Sequence, residues 1–347
     1  MTMINSHFGF TPLREVWLGD VYPASWYDHL PNEVADPFRQ ITEWTKHDLN
    51  KLQSFLESRG IAVQRPVFHN ISDHINQQGY LVKPPITPRD DYLVLGNTLY
   101  AQRKTTSRDP WQDILDQYQR QGLSVNTDQN MPVNCLSGPS LVRVGKDLYL
   151  DRESHNNVWG FICQWMVETA QHYRVNISTT DGHSDSVFCP VAPGVIVTSH
   201  WKNQFHHTFP GWEVYKIPRQ LNNWLWGGSN NWQVGDDNID QNVKFNLYIE
   251  KMAQSWVGNF KETVFEVNML VLDQHNVVAM KPYEPLAKWL EQRGITMHCF
   301  DFRCRNFWDG GWHCLTLDIH RDDQATDLFP DRGTNGVYWR QENEEFV

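Results

Sequence analysis

The stretches Asp91-Tyr-Leu-Val-Leu-Gly-Asn-Thr-Leu-Tyr100 and Ser140-Leu-Val-Arg-Val-Gly-Lys-Asp-Leu-Tyr149 carry one pattern: a β-rich run, a short Gly-containing turn and a second β-rich run. That is the signal of a hairpin. It recurs at Ser186-Val-Phe-Cys-Pro-Val-Ala-Pro-Gly-Val-Ile-Val-Thr198 and at Asn268-Met-Leu-Val-Leu-Asp-Gln-His-Asn-Val-Val-Ala279. A fifth run, Cys314 to His320, has no following partner, and Glu15-Val-Trp-Leu-Gly-Asp20 has none before it. Pairing these two would remove both free edges and close the set into a ring.

Helical spacing fills the gaps. Phe38, Ile41, Trp44, Leu49, Leu52 and Phe55 recur near a helical period and stop at Gly60. Trp111, Ile114, Leu115 and Tyr118 do so before Gly122. Val158, Phe161, Ile162, Trp165 and Met166 form a third stripe, and Leu286, Trp289 and Leu290 before Gly294 a fourth. A further strand follows most helices, as at Ile61-Ala-Val-Gln, Arg174-Val-Asn-Ile and Ile295-Thr-Met-His. The hairpins and the final strand begin near 91, 140, 186, 267 and 313. Three intervals are close to 50 residues and one is about 80, so equivalent units sharing one core are expected. The long interval implies an insertion at about 221–260, from Leu221 to Phe260, carrying Trp224, Trp226, Trp232 and Trp256 with a helical stretch near Asp240–Trp256. Such an excursion is either a surface decoration held by its tryptophans or an active-site lid.

With 347 residues, 40% hydrophobic content and 16 Trp, 17 Phe and 12 Tyr, the chain can bury a large core. A net charge of −11 disfavours nucleic acid and anionic membrane as partners and suits a cationic or zwitterionic small substrate. No apolar run approaches a membrane span, and the first residues carry neither a basic nor an apolar signal region. Six cysteines (135, 163, 189, 299, 304 and 314) in so long a chain do not resemble a disulfide framework, so a reducing cytoplasm is expected.

The chemistry concentrates before the strands. Gly310-Gly311-Trp312-His313-Cys314 puts a thiol at the start of an apolar strand, behind two glycines that permit close approach. In Asp181-Gly182-His183-Ser184-Asp185 an imidazole and a carboxylate stand two apart, on one face if the segment is a strand. Thiol, imidazole and carboxylate are the parts of nucleophilic cysteine chemistry. Asp90 precedes the first hairpin, Ser137 the second, His183 and Asp185 the third, Lys261 and Glu262 the fourth, and Cys314 opens the last strand. Equivalent positions in a closed ring converge on its axis, so one central site is expected. His298, Cys299 and Cys304 lack a second paired motif to complete a zinc site, and the adjacent His206-His207 read as a loop surface.

These motifs resemble those of the guanidino-group-modifying superfamily, and within it the arginine:glycine amidinotransferase branch. Pro88-Arg89-Asp90 before the first hairpin resembles that branch's first acidic motif. Gly182-His183-Ser184-Asp185 with Pro193-Gly194-Val195-Ile196 resembles its His-x-Asp block, and Gly310-Gly311-Trp312-His313-Cys314-Leu315-Thr316 its nucleophile motif. The resemblance runs from about residue 14 to 321. It implies a single-domain α/β fold over 1–347, a five-module pseudosymmetric α/β propeller closed by its N- and C-terminal strands, with no metal or organic cofactor. It implies an amidino group passing from arginine or another guanidine to Cys314 and then to an amine acceptor, with His183 as acid and base and with Asp90 and Asp185 holding the guanidinium. The sequence leaves a homo-oligomer open, with small-molecule substrates as the expected partners. The chain departs from the branch at Ser137, which takes a carboxylate position, and at Lys202, which replaces an arginine for the substrate carboxylate. Glu262 stands where the branch has a small hydroxyl residue and could restore the missing charge. A guanidine hydrolase, in which water replaces the amine, and a non-catalytic guanidine binder remain the rival readings.

Overall fold

The computed structural model describes residues 3–101, 108–128, 136–152, 159–178, 180, 183–199, 205–218, 242–253, 256–257 and 266–339. Within them one unit recurs: an antiparallel pair of strands, a helix, and a third strand parallel to the second. The first unit contains β1 (Leu13–Leu18), α1 (Asn32–Ser58) and β2 (Ala62–Gln64). The second contains α2 (Pro88–Asp91), β3 (Tyr92–Leu95), β4 (Thr98–Ala101), α3 (Gln112–Arg120) and β5 (Ser124–Asn126). The third has β6 (Leu141–Val144), β7 (Asp147–Asp151), α4 (Trp159–Thr169) and β8 (Arg174–Ser178). The fourth has β9 (Phe188–Ala192), β10 (Val195–Thr198), α5 (Phe205–Thr208) and β11 (Glu213–Lys216). After α6 (Val243–Met252) come β12 (Leu270–Asp273), β13 (Asn276–Ala279), α7 (Glu284–Glu291) and β14 (Thr296–Cys299). Then α8 (Arg305–Trp308) leads to β15 (Thr316–Arg321) and finally β16 (Gly336–Trp339).

The five sheets are β15-β1-β2, β3-β4-β5, β6-β7-β8-β16, β9-β10-β11 and β12-β13-β14. The expected joining of the chain's two ends is present. β15 runs antiparallel to β1, from Leu13 opposite Arg321 to Leu18 opposite Thr316, and supplies the strand that the first unit lacks.

Helix ends explain the parallel third strands. Gly60, Gly122 and Gly294 all adopt a left-handed φ, of 76°, 75° and 71°. The residue after each, Ile61, Leu123 or Ile295, donates its N–H back to Leu56, Tyr118 or Leu290. This six-to-one bond satisfies a terminal carbonyl and turns the chain back along the sheet, a geometry that a side chain at the glycine would strain. The apolar stripe of α1 faces inward, with Phe38, Ile41, Leu49 and Leu52 buried and Trp44 and Phe55 partly buried.

Three segments differ from expectation. His206 and His207 lie in the short helix α5 rather than a loop. Of the insertion at 221–260, Trp224, Trp226 and Trp232 lie outside the described residues. Asn242 caps α6 by accepting from Phe245 N–H at 3.0 Å, and Phe245 and Trp256 pack on Phe38 of α1, so this part belongs to the core. The tail beyond residue 321 also joins a sheet, β16 lying parallel to β8. Arg174, buried in β8, pairs with Asp147 and with Asp327 of that tail.

The turns ahead of the first strands touch one another in cyclic order. Gly138 lies against the carbonyls of Arg89 and Tyr92, closer than any Cβ would allow. Ser184 Oγ donates to Ser140 O at 3.3 Å, Asn268 Nδ2 to Asp185 O at 3.3 Å, and Cys314 N to Asn268 Oδ1 at 2.9 Å. Arg89 Nε closes the circuit by donating to His313 O and Thr316 O at 3.1 Å each. Beneath these turns lies a buried charge cluster. Asp318 of β15 accepts from Arg89 at 2.8 Å, Arg143 at 3.1 Å and Arg321 at 2.8 Å. Burial alone would raise its pKa, but the three guanidiniums hold its carboxyl well below the usual range.

Candidate active site

Two expectations about local structure need correction. Cys314 does not open the strand; it lies in a turn, two residues before β15 begins at Thr316. Nor do His183 and Asp185 share a strand. His183 precedes a single 3-10 turn, Ser184–Ser186, and Asp185 is within it. Both departures have one cause: the reactive side chains stand in the turns feeding the sheets, where the backbone is free to aim them.

Those turns bring the thiol and the carboxylate together. Cys314, 4% exposed, places Sγ 3.6 Å from Asp185 Oδ2. The same oxygen meets His313 Nδ1 at 2.7 Å. Burial raises the Cys314 pKa, and the negative charges of Asp185 and Asp90 raise it further; Arg89 and a hydrogen bond from Asn268 oppose them, leaving it well above the ordinary thiol value. Asp90 itself lies in α2, two residues before β3. Burial would raise the Asp185 pKa too, but its bond to His313 and the charges of His313, His183 and Arg89 keep it below the usual carboxylate value. Burial and Arg89 push the His313 pKa below the ordinary imidazole value against the pull of Asp185. Ser137 lies just before the 3-10 turn Gly138–Ser140, with its carbonyl accepting from Ser140 N–H. Lys202 and Glu262 fall outside the described residues. Among the described residues no three His, Cys, Asp or Glu side chains are grouped to hold a metal ion, and no helix is long and apolar enough to cross a membrane.

Two contributors were not singled out from the sequence. His313 stood inside a quoted motif without a role, and it orients Asp185. Asn268 stood at the head of the fourth hairpin, and it grips Cys314. A positional signal was available for Asn268. Asp90, Asn268 and Cys314 each stand two residues before the first strand of their sheets, which start at Tyr92, Leu270 and Thr316. Counting back from the fourth hairpin selects Asn268.

The double glycine has a specific use here. A Cβ at Gly311 would lie 2.5 Å from Asn268 Cβ, O and Oδ1. Gly311→Ala must therefore displace either Asn268 or the Cys314 turn. We expect a stability loss of about 1–3 kcal/mol in urea unfolding, with a larger fractional loss of Cys314 reactivity in the protein that remains folded. Wild-type stability and reactivity together would show that the turn does not depend on this contact.

No family model matches the chain. The structure superposes on SxtG, an amidinotransferase from Microseira wollei in the saxitoxin biosynthetic pathway, with TM-score 0.67 and 18% identity, covering 94% of this chain and 99% of that one. It superposes on the inosamine-phosphate amidinotransferase StrB1 from Streptomyces griseus with TM-score 0.63 and 18% identity, covering 93% and 98%. The fold, with its mixed sheets and reactive turns, is thus the amidinotransferase and dimethylarginine dimethylaminohydrolase fold. In sequence the chain is 21% identical to the L-arginine:L-lysine amidinotransferase of Pseudomonas savastanoi pv. phaseolicola, over 86% of this chain and 85% of that protein. It is 22% identical to the mitochondrial glycine amidinotransferase of Xenopus laevis, over 97% and 77%. In sequence and in fold the chain is thus similar to amidinotransferases, the arginine:glycine-like branch among them.

Proposed function

We propose that this protein transfers the amidino group of arginine, or a related guanidine, through a covalent amidino-cysteine at Cys314 to an amine acceptor. The observation that carries this reading is the 3.6 Å contact of the Cys314 sulfur with the Asp185 carboxylate in a buried turn that also feels Asp90. A planar guanidinium presents forked donors that suit carboxylates. Asp90 and Asp185 would hold it with its central carbon over sulfur. Its positive charge offsets the two carboxylates that otherwise keep Cys314 protonated, so thiolate appears when substrate is present. His183 takes the thiol proton, sulfur bonds to the guanidinium carbon, and the C–N bond to the side-chain nitrogen breaks as His183 returns the proton to that nitrogen. Ornithine leaves, and the cysteine carries the cationic amidino group. The acceptor amine then gives a proton to His183 and attacks the same carbon. Cleavage of the C–S bond returns the electron pair to sulfur.

In this reading the five sheets are modules of one α/β propeller spanning the whole chain, with the site on its axis. Ser137 hydrogen-bonds the substrate where the branch supplies charge, Glu262 restores that charge, and Lys202 pairs with the donor's carboxylate. The deciding experiment is single-turnover analysis with arginine alone. Ornithine should appear as a stoichiometric burst, becoming continuous when a primary amine is added. Steady citrulline release without amine would move the protein to the hydrolases. Absence of product and adduct with arginine, homoarginine and simple guanidines would leave it a binder.

A further inference from the structure

The nucleophile turn is held by one side chain that the proposed chemistry leaves unassigned. Asn268 is fully buried two residues before β12. Its Oδ1 accepts from Cys314 N–H at 2.9 Å, and its Nδ2 donates to Cys314 Sγ at 3.1 Å. The backbone N–H can only donate, which fixes the orientation of the amide and sets its NH2 against sulfur. That NH2 also lies 3.3 Å from Asp185 O and 3.4 Å from Ser186 Oγ. Asn268 O accepts from His313 N–H at 3.3 Å, so the residue spans the turns that carry Asp185 and Cys314.

We propose that Asn268 is a further catalytic residue, donating a hydrogen bond to the Cys314 sulfur and fixing its direction toward the guanidinium carbon. The proposal rests on Cys314 being the nucleophile. A donor to sulfur is worth most when sulfur carries charge: as thiolate before attack, and again as the C–S bond breaks on transfer to the acceptor. In the covalent intermediate the sulfur is a weak acceptor, so the bond favours the transition states on either side. Asn268 neither gains nor loses a proton. It counters the two carboxylates without adding a cation that would compete with the substrate for them.

A merely structural role predicts something different. Asn268 would then tie two turns together, and its loss would lower stability without changing the titration of the thiol in the folded protein. Asn268→Asp separates the two. It keeps the side-chain size and an oxygen for Cys314 N–H, but replaces the donor by a carboxylate oxygen. Asn268→Ala removes both contacts and serves as a second variant. The readout is the pH dependence of Cys314 alkylation by iodoacetamide without substrate, followed by peptide mass, beside thermal unfolding and steady-state kinetics. We expect the Asp variant to be alkylated at least about tenfold more slowly at neutral pH, with its profile displaced to higher pH. The Ala variant should move in the same direction by less, and kcat should fall more than KM changes. Folded variants with the wild-type alkylation profile and turnover overturn the proposal, as does a stability loss with an unmoved profile. If wild type never forms an amidino adduct, the transfer reading fails, while the alkylation profile still decides whether Asn268 acts on the sulfur.

Discussion

Cys314→Ser should reduce amidino transfer by about 10⁴-fold or more while leaving guanidine binding in place. A serine hydroxyl at this turn has no accessible anion, and the Asp185 and Asp90 charges that already hold the thiol above its ordinary pKa would oppose one further. Wild type quenched with arginine should gain one amidino mass, mapped to Cys314, and the serine variant none. The other buried thiols provide the control. Burial pushes Cys189 and Cys304 up to about 12, and neither should carry the adduct. The pH dependence follows from the same charges. A thiol held high by burial and by carboxylates stays protonated at pH 7, so thiolate absorbance in wild type minus Cys314→Ser should rise only in the alkaline range. Guanidinium offsets Asp185 and Asp90, so saturating it must move that rise to lower pH. An unmoved titration, an adduct on another cysteine, or an active serine variant would each end the assignment.

Asp318→Asn should cost about 3–5 kcal/mol of stability. The substitution keeps the shape but removes the carboxylate that pairs directly with all three of Arg89, Arg143 and Arg321, all buried. Arg143 shows how near the limit this arrangement lies. Burial, with repulsion from Arg89 and Arg321, lowers it to about 10 even with Asp318 opposing. The three arginines come from different sheets or their leading turns, so the variant loosens the joints between units and the Arg89 contacts to the Cys314 turn together. The acid side supplies a sign. A carboxylate with a depressed folded pKa contributes stability at pH above its unfolded value and loses it as pH falls through the folded one. Asp318 is held well below the usual range, so the gap between wild type and variant should persist at neutral pH and narrow only in strong acid. Urea unfolding at several pH values measures this. A gap below about 1 kcal/mol would mean that the cluster is neutralised by other groups.

Much of this was legible in local sequence, and the reasons are local. A hairpin is written in neighbouring residues, so Tyr92–Leu95 with Thr98–Ala101 could be read directly. A helix stop before a parallel strand is written in Gly60, Gly122 and Gly294. The motif around Cys314 was visible because glycines and reactive side chains stand close in the chain.

The tail strand β16 was not legible. Its partner β8 lies more than 150 residues earlier, and a short parallel edge pairing leaves no periodic trace. The turn placement of Cys314 and of His183–Asp185 was not legible, because a single turn and a strand start share composition.

The sequence by itself determined the repeat, the pairing of its first and fifteenth strands, and the thiol, imidazole and carboxylates proposed to carry the chemistry, because each follows from residue type and short-range spacing. Only the tertiary structure decided which of them touch. Asp185 meets both His313 and Cys314, and Asn268 rather than a more obviously reactive residue holds the sulfur. Those contacts depend on how the pre-strand turns of separate units pack around one another, and the close approach at Gly138 and Gly311 permits that packing.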